Sequence, residues 1–306
     1  MIFDVRKKIV QLLVRDNLAT NFLVGQAAII SSRLASGNFQ YLWDAEVKVY
    51  SQWGEDGILD YLCERLGLSK PRILEVGAGN FDECNSRFLA ENRNANVFAV
   101  DGREDLISSV EGSPLYWKSH VVGFQTWVTP ENINEIITNA KNAIGQPDIF
   151  SLDLDGNDYW ILDAANLASI RIVVAEYNPL FGHKNAVTVP RDDKFDRTSK
   201  HYSWLYYGAS LKAFTLLLEK KGFAFVGTNR VGNNAFFVSK DIANLIPTKI
   251  SQDYSVYTDW RIRETRSESG ALNFATGYDR VKTMMDQKLI NIETGTETSV
   301  GEANPA

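Results

Sequence analysis

Residues 72–82 read Arg-Ile-Leu-Glu-Val-Gly-Ala-Gly-Asn-Phe-Asp, and they restrict the fold more than any other stretch of the chain. Ile73, Leu74 and Val76 make a short apolar strand. Glu75, Gly77 and Gly79 put a carboxylate and two residues without side chains at its C-terminal end. The residues that follow, Glu83 to Glu91, have helical character. A strand, a glycine turn and a helix form the nucleotide-binding corner of a doubly wound α/β domain. The glycines reach positive φ and let a ligand approach the backbone.

The ligand can be narrowed from the same residues. A dinucleotide fingerprint needs a third glycine three residues after the second, and Asp82 stands there instead. An acid at that place suits a positively charged or hydroxyl-rich ligand rather than a pyrophosphate. The Glu-x-Gly-x-Gly order suits S-adenosylmethionine (SAM), whose ammonium and sulfonium charges favour nearby carboxylates. A second strand, Val97-Phe-Ala-Val100, ends in Asp101-Gly102 about 22 residues beyond Gly79, the usual place for an acid that accepts hydrogen bonds from ribose hydroxyls. The expected cofactor contacts are Glu75, Gly77, Ala78, Gly79, Asn85, Asp101, Gly102 and Asp153. A nicotinamide oxidoreductase is opposed by Asp82.

Helix and strand alternate onward, which predicts a doubly wound, mostly parallel sheet. The pattern gives a helix over 56–66 and a strand at Val121-Val122. It then gives a helix over 130–143 capped by Thr129, a strand over 148–153, a helix over 158–166 and a strand over 170–176. That last strand is apolar on both faces and therefore central. A helix over 207–221 stops at Gly222. Two strand-like runs, 223–227 and 235–239, then make a closing hairpin around a polar loop. Four parts are expected: an N-terminal helical extension over 1–49, the SAM-binding domain over 50–245, a C-terminal extension over 246–290, and a disordered tail over 291–306. The N-terminal helices are expected to pack on the core or on a second copy of the chain.

The 306 residues carry 32 Lys and Arg against 38 Asp and Glu, a net charge of −6, which argues against a nucleic-acid partner. Cys63 and Cys84 belong to no Cys-x-x-Cys unit, so no zinc site is expected, and two cysteines fit a reducing compartment. No run reaches the ~18 apolar residues of a transmembrane helix. The basic start at Arg6-Lys7-Lys8 is followed by an apolar run that Arg15 and Asp16 cut short. An amphipathic helix in a cytoplasmic protein is the expectation.

Five stretches carry a resemblance to a known family: Tyr50-Ser-Gln-Trp-Gly-Glu-Asp56, Leu74-Glu-Val-Gly-Ala-Gly79, Ser151-Leu-Asp-Leu-Asp-Gly-Asn-Asp-Tyr-Trp160, Val174-Ala-Glu-Tyr-Asn178 and Tyr206-Tyr-Gly-Ala-Ser210. Trp260 to Arg266 adds a weaker match. Over residues 50 to about 280 the chain resembles the FkbM-like class of SAM-dependent methyltransferases, which includes O-methyltransferases of polyketide and sugar pathways. The resemblance implies the class I methyltransferase fold, a Rossmann-like seven-stranded sheet with an antiparallel last strand, and it implies SAM. It leaves the acceptor open.

Ligands of open α/β sheets bind outside the carboxyl ends of the strands. Asp153 and Asp155, Glu176 with Asn178, and Glu75 are expected there. Methyl transfer needs an acceptor oxygen aligned with the methyl group and relieved of its proton. Asp153, Glu176 and His183 are the candidate catalytic groups, and His201 is a further histidine to weigh. Asp155 and Asp158 have an alternative use in turns and helix caps. The same strand ends could hold magnesium or calcium through Asp153, Glu176 and Asn178, as some sugar O-methyltransferases similar to this chain do, although strand five lacks their adjacent aspartates. The long, aromatic connection from Tyr177 to Tyr207 reads as a lid over an acceptor with sugar-like faces. Two functions stay open at this stage. One is an O-methyltransferase acting on a sugar, nucleotide-sugar or other glycan-like small molecule; the other is a catalytically silent SAM-binding or scaffold protein of the same fold.

Overall fold

The computed structural model describes residues 39–251 and 253–304, and before them only Phe22, Gly25 and Ile29, each helical and exposed. The expected N-terminal helices and their packing on a second copy therefore lie almost wholly outside the described residues. Leu42–Ala45 is a short 3-10 helix.

The strands are β1 (Arg72–Val76), β2 (Asn96–Asp101), β3 (Val121–Gln125), β4 (Ile149–Leu152), β5 (Ile172–Glu176), β6 (Val187–Thr188), β7 (Phe223–Thr228), β8 (Asn234–Ser239), β9 (Lys288–Asn291) and β10 (Glu297–Ser299). Seven of them form one sheet in the order β3-β2-β1-β4-β5-β8-β7. Strands β1 to β5 pair in parallel, and β8 runs antiparallel to both neighbours. This is the Rossmann-like, mostly parallel seven-stranded sheet with an antiparallel last strand.

Period-two alternation sorts the strand residues onto two buried faces. Leu74, Val76, Phe98, Val100, Phe150, Leu152, Val173 and Ala175 share one apolar cluster, while Ile73, Val97, Ala99, Ile149, Ile172 and Val174 share another. The helices are α1 (Glu55–Arg65), α2 (Arg87–Asn92), α3 (Leu106–Gly112), α4 (Leu115–Lys118), α5 (Ile133–Ile144), α6 (Asp158–Ala164), α7 (Arg197–Lys200), α8 (Leu211–Lys220), α9 (Tyr278–Thr283) and α10 (Val300–Ala303). Apolar residues of α5, α6 and α8 join the first cluster, and those of α1 to α4 join the second. The sheet is thus covered on both sides.

Several helix starts fall later than the sequence suggests, each because a polar side chain takes up the entry. Asn132 precedes α5 and its Oδ1 accepts from the Thr129 N–H, so Thr129 is not the cap. Ser210, accepting from Ala213 N–H, starts α8.

The expectation of a disordered tail from Asn291 is corrected. Gly295 (φ +72°) turns β9 back into β10, and Asn291 and Gly295 close the turn by backbone hydrogen bonds. β9 also pairs with β6. The polar composition hid three apolar anchors: Leu289, Val300 and Ala303 are buried in a cluster with Phe181, Val187, Phe195, Leu205, Tyr206, Tyr207, Trp260 and Met284. That satellite core ties the C-terminal residues to the connection after β5. Arg280 reinforces it by donating to the carbonyls of Trp260, Ile262 and Ala275. Among the described residues no helix is long and apolar enough to cross a membrane.

Candidate functional site

Strand register brings the site together. Val76 lies opposite Val100 and Leu152, and Leu152 opposite Ala175. The next residue on each strand therefore falls in one row at the carboxyl edge: Gly77, Asp101, Asp153 and Glu176. Gly77, Asp101 and Asp153 of this row border a cavity of about 320 Å³, with Glu176 behind its wall, near the lower end of the range for small-molecule pockets. Gly77, Gly79, Asp101 and Gly102 line one part of it, Thr126 to Val128 beyond β3 another, and Asp153 to Asp155, Asn157 and Phe195 the rest.

Gly77 (φ +88°) can carry no side chain, because a Cβ would overlap the Asp153 carbonyl. Its N–H and that of Ala78 both donate to Val100 O, at 2.9 and 3.1 Å, which holds the turn down on the sheet. Gly79 (φ +58°) has open space where a side chain would be. Asp101 Oδ2 accepts from Gly79 N–H at 2.8 Å and Oδ1 from Arg103 N–H at 2.9 Å. The carboxylate thus braces the glycine turn while facing the cavity.

Three expected cofactor residues do not line the cavity: Glu75, Ala78 and Asn85. Glu75 is buried and its carboxylate accepts from the N–H groups of Asn85 and Ser86 and from the Ser86 hydroxyl. It ties the loop to β1 from beneath, and burial raises its pKa. Ala78 is packed in the core, and Asn85 is spent on Ser151 Oγ at 3.1 Å.

Asp153 and Glu176 of the row form a cluster with Asp155, one carboxylate oxygen of each within 4.8 Å of the others. Burial first, then the neighbouring carboxylates, pushes Asp153 and Glu176 well above the usual carboxylate range. Glu176 Oε2 is buried with no hydrogen-bond partner, and so is the Tyr207 hydroxyl. Asp155 sits at φ +54° and pairs with Arg197 Nη1 at 2.5 Å. Arg197 also donates to Trp204 O at 2.6 Å and lies 4.4 Å over the Tyr207 ring. Asp158 does the turn work expected of one of the two aspartates, accepting from Leu154 and Gly156 N–H at 2.8 Å each. Burial lifts it to about 6.

Asn178 is corrected as a metal ligand. Its Oδ1 accepts from Leu180 N–H, and its amide donates to the carbonyls of Leu205 and Tyr207, so it caps the turn after β5. Asp155 takes its place in the cluster. His183 is corrected as a catalytic group: it lines separate surface grooves, one with Lys184, Lys212, Glu219 and Asp253, and not the cavity. His201 is likewise elsewhere, its Nδ1 2.7 Å from Ser203 Oγ, and burial lowers its pKa.

The connection from Tyr177 to Tyr207 does lie against the site, and it reaches further than an acceptor lid would. Trp127 Nε1 donates to Asp193 O at 2.7 Å, Asn157 donates to Asp192 O, and Phe195 enters the cavity wall. The sequence reading missed Thr126 to Val128, Asn157 and Arg197. Thr126 to Val128 follow the end of β3, where the strand-end rule points; Asn157 and Arg197 join the site only through the folded loops.

Comparison with known proteins adds likeness without identity. No protein-family model matches the chain, and no curated protein matches it in sequence. Among solved structures, a fibrillarin pre-rRNA processing protein from Methanococcus jannaschii is 12% identical with a TM-score of 0.36, covering 56% of this chain and 67% of that one. Human N-acetylserotonin methyltransferase in complex with SAM is 11% identical with a TM-score of 0.31; 60% of this chain is covered but only 54% of the human enzyme. A SAM-dependent methyltransferase from Aquifex aeolicus is 14% identical with a TM-score of 0.33, covering 60% and 88%. At these scores the likenesses decide nothing about activity, and the strand order carries the fold class.

Proposed function

We propose that the protein is a SAM-dependent O-methyltransferase of the FkbM-like kind, acting on a hydroxyl of a sugar, nucleotide-sugar or glycan-like small molecule. The observation that carries this reading is the continuity of one cavity. It runs from a glycine turn braced by Asp101 to Asp153 and Asp155, which cluster with Glu176. The residues fit the cofactor: Gly77 and Gly79 leave room at the turn, and Asp101 offers carboxylate oxygen at the place where ribose hydroxyls are held in such folds. Bound SAM would supply the methyl group. Gly77, Gly79, Asp101 and Gly102 would hold it, and Phe195 and Trp127 would exclude water from it.

Asp153 and Glu176 then handle the acceptor. Burial and the neighbouring carboxylates raise both acids, and a carboxylate so raised is, when ionised, a stronger base toward a hydroxyl proton than an ordinary one. The three carboxylates also have the donor chemistry of a magnesium or calcium site, and such an ion would lower the pKa of a hydroxyl. The silent-scaffold alternative predicts SAM binding without transfer.

The test offers isotope-labelled SAM with a panel of sugars and nucleotide sugars to the full chain. Asp153→Ala should lower transfer by ~10²–10⁴ while leaving SAM bound. Transfer that stops in chelator and returns with magnesium or calcium assigns the cluster to a metal; full activity in chelator removes the metal. An Asp153→Ala protein with wild-type transfer would remove the catalytic assignment.

A further inference from the structure

The Tyr50–Asp56 stretch stands out in the sequence, yet none of its residues lines the cofactor cavity. Its two acids are buried. Asp56 shapes its own loop, with Oδ2 accepting from the N–H groups of Val49, Tyr50 and Ser51. Glu55 reaches outward. Its Oε2 accepts from Trp53 and Gly54 N–H, and its Oε1 accepts from Asn229 Nδ2 at 2.6 Å and Asn234 Nδ2 at 2.9 Å.

From Glu55 a chain of buried amides runs to the acidic cluster. Asn229 Nδ2 also donates to Asn233 Oδ1 at 2.7 Å. Asn233 Nδ2 donates to Glu176 Oε1 at 3.4 Å, the longest link. Asn229 Oδ1 is fixed as an acceptor by the backbone N–H groups of Gly232, Asn233 and Asn234, each at 3.1 Å. The direction of every link follows from chemistry: an ionised carboxylate only accepts, and an amide NH₂ only donates. Because Glu55 and those three N–H groups set the Asn229 amide, Asn229 must offer N–H to Asn233, and Asn233 must then offer N–H to Glu176. One oxygen of Glu176 is thereby occupied by a donor. The other, Oε2, is buried and accepts from no amide, hydroxyl or backbone donor, and the Glu176 carboxyl lies in the cluster with Asp153 and Asp155.

We propose that Asn233 is a positioning residue, which holds Glu176 through Oε1 so that Oε2 is the oxygen presented to the acceptor hydroxyl. The Tyr50–Asp56 stretch serves the site from a distance, by anchoring this chain at Glu55. The inference rests on the methyltransferase reading above for its functional consequence, while the chain itself does not.

Two variants separate positioning from support. Asn233→Asp keeps the shape and the acceptor for Asn229 but removes the donor to Glu176; Asn233→Ala removes both. In each, kcat for methyl transfer should fall about 10–100-fold, as expected when a reacting group is misplaced. The acceptor KM should change less than about threefold and SAM affinity less than about twofold. Wild-type kcat in Asn233→Asp overturns the proposal. So does a loss of SAM affinity that accounts for the fall in rate, since a residue that merely supports the fold would act that way. A measurement without acceptor decides the chain itself. The Asn233 side-chain amide resonance in ¹⁵N-labelled full-length protein, identified by its loss in Asn233→Ala, should shift in both Glu176→Gln and Glu55→Gln. A resonance unmoved by either overturns the inference. A wild type that binds no SAM sinks the methyltransferase reading instead, and the amide resonance still reports on Asn233.

Discussion

Gly77 shows how a single position can decide the site. Its missing Cβ is what allows the Asp153 carbonyl to close over the end of β1, and its φ of +88° disfavours any side chain even in open space. Gly77→Ala should therefore cost at least about 1–3 kcal/mol of stability from backbone strain alone, and it should weaken SAM binding by pushing β1 and β4 apart. Thermal unfolding and calorimetry on the variant would check both, and a Gly77→Ala protein as stable as wild type would contradict the account. The acids at the same edge divide by their position along the strand. Asp153 follows β4 directly and Glu176 closes β5, so both were legible as strand-end groups. Glu75 lies one residue before the end of β1, level with Ser151 and Val174, so it sits two residues short of Asp153 and Glu176 on the same face and stays beneath the loop. Asn178 and His183 misled because a strand-end pattern says where the backbone goes and not which side chains the following turn consumes.

At the scale of elements, the connection after β5 is a strap with fastenings at several points. Phe195 lies in the cavity wall, Trp127 holds Asp193, and Arg197 spans from Asp155 to Trp204 and Tyr207. Its length and aromatic content were readable in the sequence. Its fastenings were not, because each joins residues far apart in the chain. Phe195→Ala should weaken SAM binding measurably, about 1–3 kcal/mol from the lost apolar contact. Were the strap only an acceptor lid, SAM affinity would be unchanged. Arg197→Gln should speed proteolytic cleavage within 190–204, since it removes a buried guanidinium's ion pair with half-exposed Asp155 and a cation–π stack. Unchanged cleavage would show that the satellite core with β6 and β9 fixes the strap by itself. That core was also illegible: Leu289 just before the polar tail and Val300 and Ala303 within it cannot be recognised as anchors until their partners from 181–207 and 260–284 are in place.

For the whole molecule, the buried acids set an unusual dependence on pH. Burial lifts Asp56 and Asp158 to about 6, and it also raises Glu75, Asp153 and Glu176. A carboxylic acid whose folded pKa exceeds its unfolded value of about 4 binds its proton first in the folded state. Each such contribution is complete below about 4 and is lost as pH rises above it, through about 6 for Asp56 and Asp158. Asp105, Glu131, Asp192 and Asp196 are lowered instead, so their contribution is lost only as pH falls below about 4. His201, lowered by burial, opposes the trend below about 6.5, but it is one group against several. The urea midpoint should therefore rise between pH 7.5 and 5, by an amount of order a few kcal/mol in unfolding free energy. A midpoint that falls over that interval would contradict the burial of these acids. The mostly parallel sheet and its closing hairpin, by contrast, were readable from alternation of helix and strand, because a parallel sheet covered on both faces leaves its strands as short apolar runs.

The claim on which the rest depends is that the cavity between the glycine turn and Asp153 binds SAM. Calorimetric titration of the full chain with SAM, beside the Asp101→Ala variant, tests it directly. The account predicts one site per chain in the wild type and binding weaker by about 1–3 kcal/mol in the variant, the range for a lost charge-assisted hydrogen bond. Absence of binding in the wild type, or equal affinity in the two proteins, would contradict it.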